Sequence, residues 1–155
     1  MIQIDSREKA RAITRIVDYF DKTGVKHFVS KLYVGDYMNY DNPYIVVDRK
    51  QNLTEVCANV TQDHDRFRRE LINAKNAGIT LIILVEHGGN IRRKEDVIWW
   101  KNPRSEKSPK AMRGETLYQI MCTLERKYGC RFEFCDKRQT GRKICELLGH
   151  DSRRD

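Results

Sequence analysis

The chain has 155 residues, with 30 Lys or Arg against 22 Asp or Glu, a formal net charge of +8 and an isoelectric point near 9.3. That length fits one domain, and a hydrophobic share of 39% suffices for one core, which excludes a wholly disordered chain. The longest largely apolar run, Ile79 to Val85, is seven residues with Thr80 inside it, far short of the roughly 20 that span a bilayer.

In chain order, Ile2 to Ile4 reads as a first strand. Ser6 can cap a helix from Arg7 to about Lys22, with Ala12, Ile13, Ile16, Val17 and Phe20 on one face. Thr23-Gly24 ends it. Val25 to Tyr33 is β-rich, and Val34 to Met38 continues as strand. Asn39 to Pro43 is dense in turn formers, so Tyr44 to Lys50 returns as a hairpin partner. Helices are expected over Leu53 to Val60 and Asp65 to Ala77, the second closed by Gly78. Ile79 to Glu86 is apolar apart from Thr80 and its last residue, the pattern of a strand buried on both faces. A basic segment through Arg113 follows, then a helix from Thr116 to Tyr128, a strand from Cys130 to Cys135 and a helix from Thr140 to Leu148. Strands alternating with helices indicate one α/β domain on a central mixed β-sheet flanked by helices. We expect it to occupy residues 1–149, with a Trp-containing basic insertion at about 90–113 and a frayed tail from His150 to Asp155.

The positive charge is one-sided. Residues 1–90 hold 13 basic and 12 acidic residues, whereas residues 91–155 hold 17 and 10. Such asymmetry suits a polyanion partner, and equally a solvated face. Five cysteines without a C-x-x-C pair, and histidines at 27, 64, 87 and 150 without a matching pair, point to packing thiols and no structural zinc. Met1 to Asp5 lacks the basic and apolar regions of a signal peptide, so the expected setting is cytoplasmic, with no membrane partner. The size suits a bacterial or phage protein, with the nucleus as the setting in a eukaryote.

Chemistry concentrates at the end of the strand Tyr44 to Lys50. Alternation with period two puts Asp48 and Lys50 on one face. The carboxylate can bind a hard divalent cation, and the ammonium can orient a water or offset charge developing on a phosphate. One carboxylate holds Mg²⁺ poorly, and Asp36, on the expected hairpin partner, is the best-placed second. The same spacing also suits two exposed strand-end residues forming a weak surface pair.

Asp5-Ser6-Arg7-Glu8, Val34-Gly35-Asp36-Tyr37 and Val47-Asp48-Arg49-Lys50, in that order, resemble the nuclease domain of the XPF family of structure-specific DNA endonucleases. That family carries D-x-R-E, then G-D, then E-R-K-x-x-x-D. Asp65-Arg66-Phe67 and the apolar strand at 79–86 extend the resemblance, so that it covers residues 2 to about 87. It implies a restriction-endonuclease-like core and Mg²⁺- or Mn²⁺-dependent hydrolysis of DNA phosphodiesters. Asp36 and Asp48 would be metal ligands and Lys50 the catalytic lysine. Arg49, Asp5, Arg7 and Glu8 complete the catalytic set that the resemblance implies, and Arg66 and Arg69 would face the DNA. The family's Glu is Asp48 here, and its last motif Asp falls on Thr54, with Glu55 one residue late. On a helix that shift turns the side chain by about 100°, so Glu55 is not given the same role. The helix-hairpin-helix domain that often follows is absent from this sequence, and a stand-alone form is expected.

Residues 92–113 carry eight basic and three acidic residues around Trp99 and Trp100. Such tryptophans can stack on unpaired bases while Lys101, Arg104 and Lys107 track the backbone, or they can pack against the core. The leading expectation is an endonuclease acting on branched, flapped or otherwise irregular DNA. A non-catalytic DNA-binding subunit, a four-way-junction resolvase and a restriction-type nuclease are the alternatives. Oligomeric state stays open, a homodimer included.

Overall fold

Residues 1–150 are described by the computed structural model. Six strands form one mixed sheet: β1 (Ile2–Ile4), β2 (His27–Val29), β3 (Tyr37–Asn39), β4 (Asn42–Lys50), β5 (Thr80–Glu86) and β6 (Arg131–Cys135). Their spatial order is β2-β1-β3-β4-β5-β6. The pairs β1·β2, β4·β5 and β5·β6 are parallel, while β3 runs antiparallel to both β1 and β4. The expected α/β class with a mixed sheet is what the chain forms.

Alternation along the strands divides the core into two layers. Val46, Leu81, Ile83 and Val85 face α2 (Leu53–Val60), α3 (His64–Asn76) and α4 (Gly114–Tyr128). Val47, Ile82 and Leu84 face α1 (Thr14–Thr23) and α5 (Thr140–Leu147). Both faces of β5 are therefore covered, which is why its buried stretch from Leu81 to Val85 is uniformly apolar. Among the described residues, no helix is long and apolar enough to cross a membrane.

Three expected elements differ. The helix from Arg7 capped by Ser6 is instead a 3₁₀ turn at Ala10–Ile13 followed by α1. The first turn is lost because the Arg7 amide donates to Asp5 Oδ2 at 3.2 Å and the Glu8 amide to the Asp5 carbonyl at 3.0 Å, folding residues 5–8 into a local turn. Residues 30–36, expected as strand, form a loop around the Asp5 carboxylate, to which the Leu32 amide donates at 2.8 Å. The hairpin turn shrinks to Tyr40 and Asp41, with the Asp41 amide donating to Asn39 Oδ1 at 3.0 Å. The basic segment takes the form of two 3₁₀ turns, Lys94–Trp99 and Pro103–Glu106. At the C-terminal end, His150 donates its amide to the Cys145 carbonyl at 2.9 Å. Residues 151–155, the rest of the expected tail, lie outside the described residues.

Candidate active site

The carboxyl-terminal end of β4 opens into a cavity of about 590 Å³. Alternation delivers Asp48 and Lys50 to the α2/α3 face and sends Arg49 to the opposite face. Asp36 arrives from the loop before β3, held by two backbone links. Its amide donates to the Val47 carbonyl at 2.8 Å, and its Oδ2 accepts from the Arg49 amide at 2.7 Å.

Gly35 lets that loop approach β4. Its φ is +71°, and a Cβ there would lie 2.5 Å from Val46 Cγ1 and 3.1 Å from the Val47 carbonyl. Gly35→Ala is therefore expected to lower stability by about 2–4 kcal/mol, combining left-handed strain with overpacking. A urea midpoint equal to that of the wild type would refute this reading of the turn.

The electrostatics at this strand end are unfavourable for carboxylates. Burial, and next the Asp48 charge, push Asp36 well above the usual carboxylate range. Glu70, from α3, accepts from the Gly35 amide at 3.2 Å, and burial followed by the Asp48 charge pushes it up to about 7. Burial pulls Lys50 down, but the surrounding carboxylates, Asp48 foremost, outweigh it and hold the ammonium above its ordinary value. Lys50 Nζ lies 3.3 Å from Asp48 Oδ2 and 5.4 Å from the centre of the Phe67 ring. That approach to Asp48 is not aligned for a hydrogen bond, so the buried Oδ2 accepts none. A buried carboxylate oxygen without a donor beside two further carboxylates has the character of a cation site.

The remaining motif residues support this centre. Asp5 is buried, and its carboxylate accepts from Arg7 Nε at 2.7 Å as well as from the Leu32 amide. Arg7 thereby reaches the cavity wall with much of its side chain in solvent. Glu8 accepts from Arg49 Nε at 2.8 Å and from the Tyr37 hydroxyl at 2.7 Å. Arg49 also donates from Nη1 to Glu86 at 2.6 Å, so its guanidinium is spent on structure beneath the site. Arg66 and Arg69 line the cavity from α3. Lys101, Arg104 and Lys107 are exposed and are not among the lining residues. Glu55 lines the cavity too, but its carboxylate accepts the Gln51 amide at 2.7 Å while Asn52 caps α2.

Sequence reasoning missed Glu70. Its signal was the spacing of Arg66, Arg69, Glu70 and Asn73, a polar stripe at i, i+3, i+4 and i+7 that lines the cavity while Phe67, Leu71 and Ala74 are buried. It also missed Tyr33, 68% exposed on the cavity wall.

The donor set fits a hard divalent ion: carboxylate oxygens, with neither His nor Cys among the lining residues. Among the described residues no three Asp, Glu, His or Cys side chains already form a metal-binding group. Asp36 and Asp48 bring two carboxylates to this strand end, and Mg²⁺ sites in general use one or two carboxylates together with waters and substrate phosphates.

A mixed six-stranded sheet flanked by helices, whose β4 end brings two carboxylates and a lysine into one cavity, places the chain in the α/β class. Within it, the chain belongs to the ERCC4 domain family, whose match covers residues 4–147. No curated protein matches the chain. Among solved structures it is similar to XPF from Aeropyrum pernix, with a TM-score of 0.67 and 23% identity over 99% of this chain and 65% of that one. It is also similar to XPF from Aeropyrum pernix in complex with DNA, with a TM-score of 0.64 and 21% identity over 96% and 62% of the two chains. The chain therefore spans less than two thirds of either structure.

Proposed function

We propose that the chain is a metal-dependent DNA endonuclease acting on branched, flapped or otherwise irregular DNA. The observation that carries this reading is the meeting of Asp36, Asp48 and Lys50 in one cavity walled by Arg7, Arg66 and Arg69. Membership of the ERCC4 domain family and the likeness to an XPF solved with DNA support DNA as the polymer.

Asp36 and Asp48 would hold Mg²⁺ or Mn²⁺, with Glu70 as the adjacent third carboxylate. Such an ion supplies Lewis-acid polarisation of the phosphate and eases deprotonation of the attacking water. The chain's own groups do the rest. Lys50, steadied by Asp48 and the Phe67 ring, stands where it can orient that water or offset charge growing on the phosphoryl oxygens. Arg7, Arg66 and Arg69 grip the flanking phosphates. Asp5, Glu8 and Arg49 position these groups without touching the reacting atoms.

The test is a panel of blunt duplex, flap, fork and four-way DNA incubated with Mg²⁺, Mn²⁺ or EDTA. Cutting of branched substrates with either ion, none in EDTA and slow cutting of duplex are expected. Binding without cutting under every condition would identify a non-catalytic DNA-binding subunit. Confinement to four-way DNA would indicate a resolvase, and site-specific duplex cutting a restriction-type nuclease.

A further inference from the structure

Trp99 and Trp100 are neighbours in sequence and opposites in the fold. Val85 of β5 is level with Lys50 of the parallel β4, so the chain leaves β5 at the sheet edge that carries the cavity. His87 follows at once, and its ring meets Trp100 edge-on with centroids 6.4 Å apart. Trp100 is thus folded back to that edge and packs against the core. Trp99 faces outward at 82% exposure, the most exposed large hydrophobic side chain among the described residues.

This exposure is held in place by the surrounding structure. Val97 is fully buried, and the turn around it lies so close to α4 that a Cβ on Gly114 would come within 2.2 Å of the Val97 carbonyl and 2.8 Å of the Trp100 carbonyl. Lys94 is paired with Glu125 of α4. On the other side, buried Asn102 donates to the Met112 carbonyl at 2.9 Å and accepts the Arg104 amide at 3.0 Å. The backbone is therefore pinned before and after Trp99, so little backbone entropy is left to lose when the indole meets a ligand.

The surroundings choose the ligand. Arg92, Arg93, Lys101 and Arg104 are exposed in the same segment as Trp99, outnumbering the exposed acids Glu95 and Glu106, so the indole is presented on a charged surface and not on the apolar patch that a protein partner buries. A flat indole among exposed cations, on a segment that leaves β5 at the end of the sheet that carries the cavity, matches a nucleic-acid strand with an unpaired base.

We propose that Trp99 is a stacking platform for one unpaired base of a DNA strand whose phosphates run over Lys101 and Arg104. The inference rests on the DNA reading of the cavity and adds a reason for preferring irregular DNA. The test measures binding in EDTA, where no cutting occurs, of an oligothymidylate, a fork and a blunt duplex to the full chain. Trp99→Ala is expected to weaken the oligothymidylate and the fork by roughly 5- to 150-fold, the value of one stacked base, and to leave the duplex unchanged. Tryptophan emission should be quenched by the oligothymidylate in Trp100→Phe protein, which retains Trp99, and not in Trp99→Phe protein. Neutralising Lys101, Arg104 and Lys107 together should weaken all three DNAs and reduce the salt slope by about 2–3.

Equal loss for all three DNAs on Trp99→Ala, or no loss, overturns the proposal, as does an unchanged salt slope in the neutralised variant. Altered self-association in Trp99→Ala with intact DNA binding also overturns it, marking a protein interface. Because binding is read without metal, wild-type protein that stacks but never cuts in Mg²⁺ would defeat the nuclease reading alone.

Discussion

Asp48→Asn is expected to slow Mg²⁺-supported cleavage of branched DNA by roughly 10³-fold or more, since losing even an outer partner of a metal ligand costs about 10–100-fold. Stability should stay within about 1 kcal/mol of wild type, because two opposing changes accompany the loss of charge. Asp36 and Glu70 are both disfavoured by the Asp48 charge, and the amide removes that repulsion. Lys50 loses its nearest anion, 3.3 Å away, but keeps Glu70, Glu55 and Asp36 around it. A centre that trades stability for reactivity shows this signature, with activity gone and the fold intact. Lys50→Ala should lower the rate by roughly 10²–10³-fold. It should also melt earlier than wild type in EDTA, since Asp48 and Glu70 then lack their cation, and regain part of that loss in Mg²⁺. Single-turnover rates and thermal melts with and without metal measure both. Wild-type cleavage by Asp48→Asn protein would remove Asp48 from the site.

How much of this was legible in the sequence depends on how locally each feature is determined. The helix Leu53–Val60 and the strand ending at Glu86 could be read directly, because periodicity and burial agree there. The Asp36, Asp48 and Lys50 set was legible from strand alternation and motif order. The expected helix at Arg7 failed because its period was read from residues 12–20, while Asp5 and Glu8 are engaged by Leu32, Tyr37 and Arg49, partners that sequence spacing does not reveal. Glu70 required knowing that α3 lies across the end of β4. The tryptophan pair was undecidable because adjacent aromatics carry no period, and only the packing of the turn against Gly114 separates them. For Arg49, the alternation that joins Asp48 to Lys50 already turns its side chain away from both.

That placement gives Arg49 the largest expected effect on stability. Its guanidinium is almost wholly buried and bridges Glu8 at 2.8 Å to Glu86 at 2.6 Å, two carboxylates from the post-β1 turn and the end of β5. Each carboxylate has one more anchor: the Tyr37 hydroxyl donates to Glu8 at 2.7 Å, and the Thr140 hydroxyl at the start of α5 donates to Glu86 at 2.5 Å. Arg49→Ala leaves two largely buried anions without a cation, and since breaking a fully buried pair costs about 3–5 kcal/mol, a loss near the lower end of that range is expected. Arg49→Lys should recover only part of that, because one ammonium cannot reproduce a fork held between two acids. The decisive comparison adds Glu8→Gln and Glu86→Gln to Arg49→Ala. If unpaired charge is the cause, the triple variant should regain part of the lost stability, as neutral amides tolerate burial better than carboxylates. If Arg49 acts chiefly by packing, the triple variant should be no more stable than the single one. Urea midpoints across the series separate the two. In variants that still fold, cleavage should fall less than in Asp48→Asn, because Arg49 holds Asp36 through its backbone amide, which every substitution except proline retains.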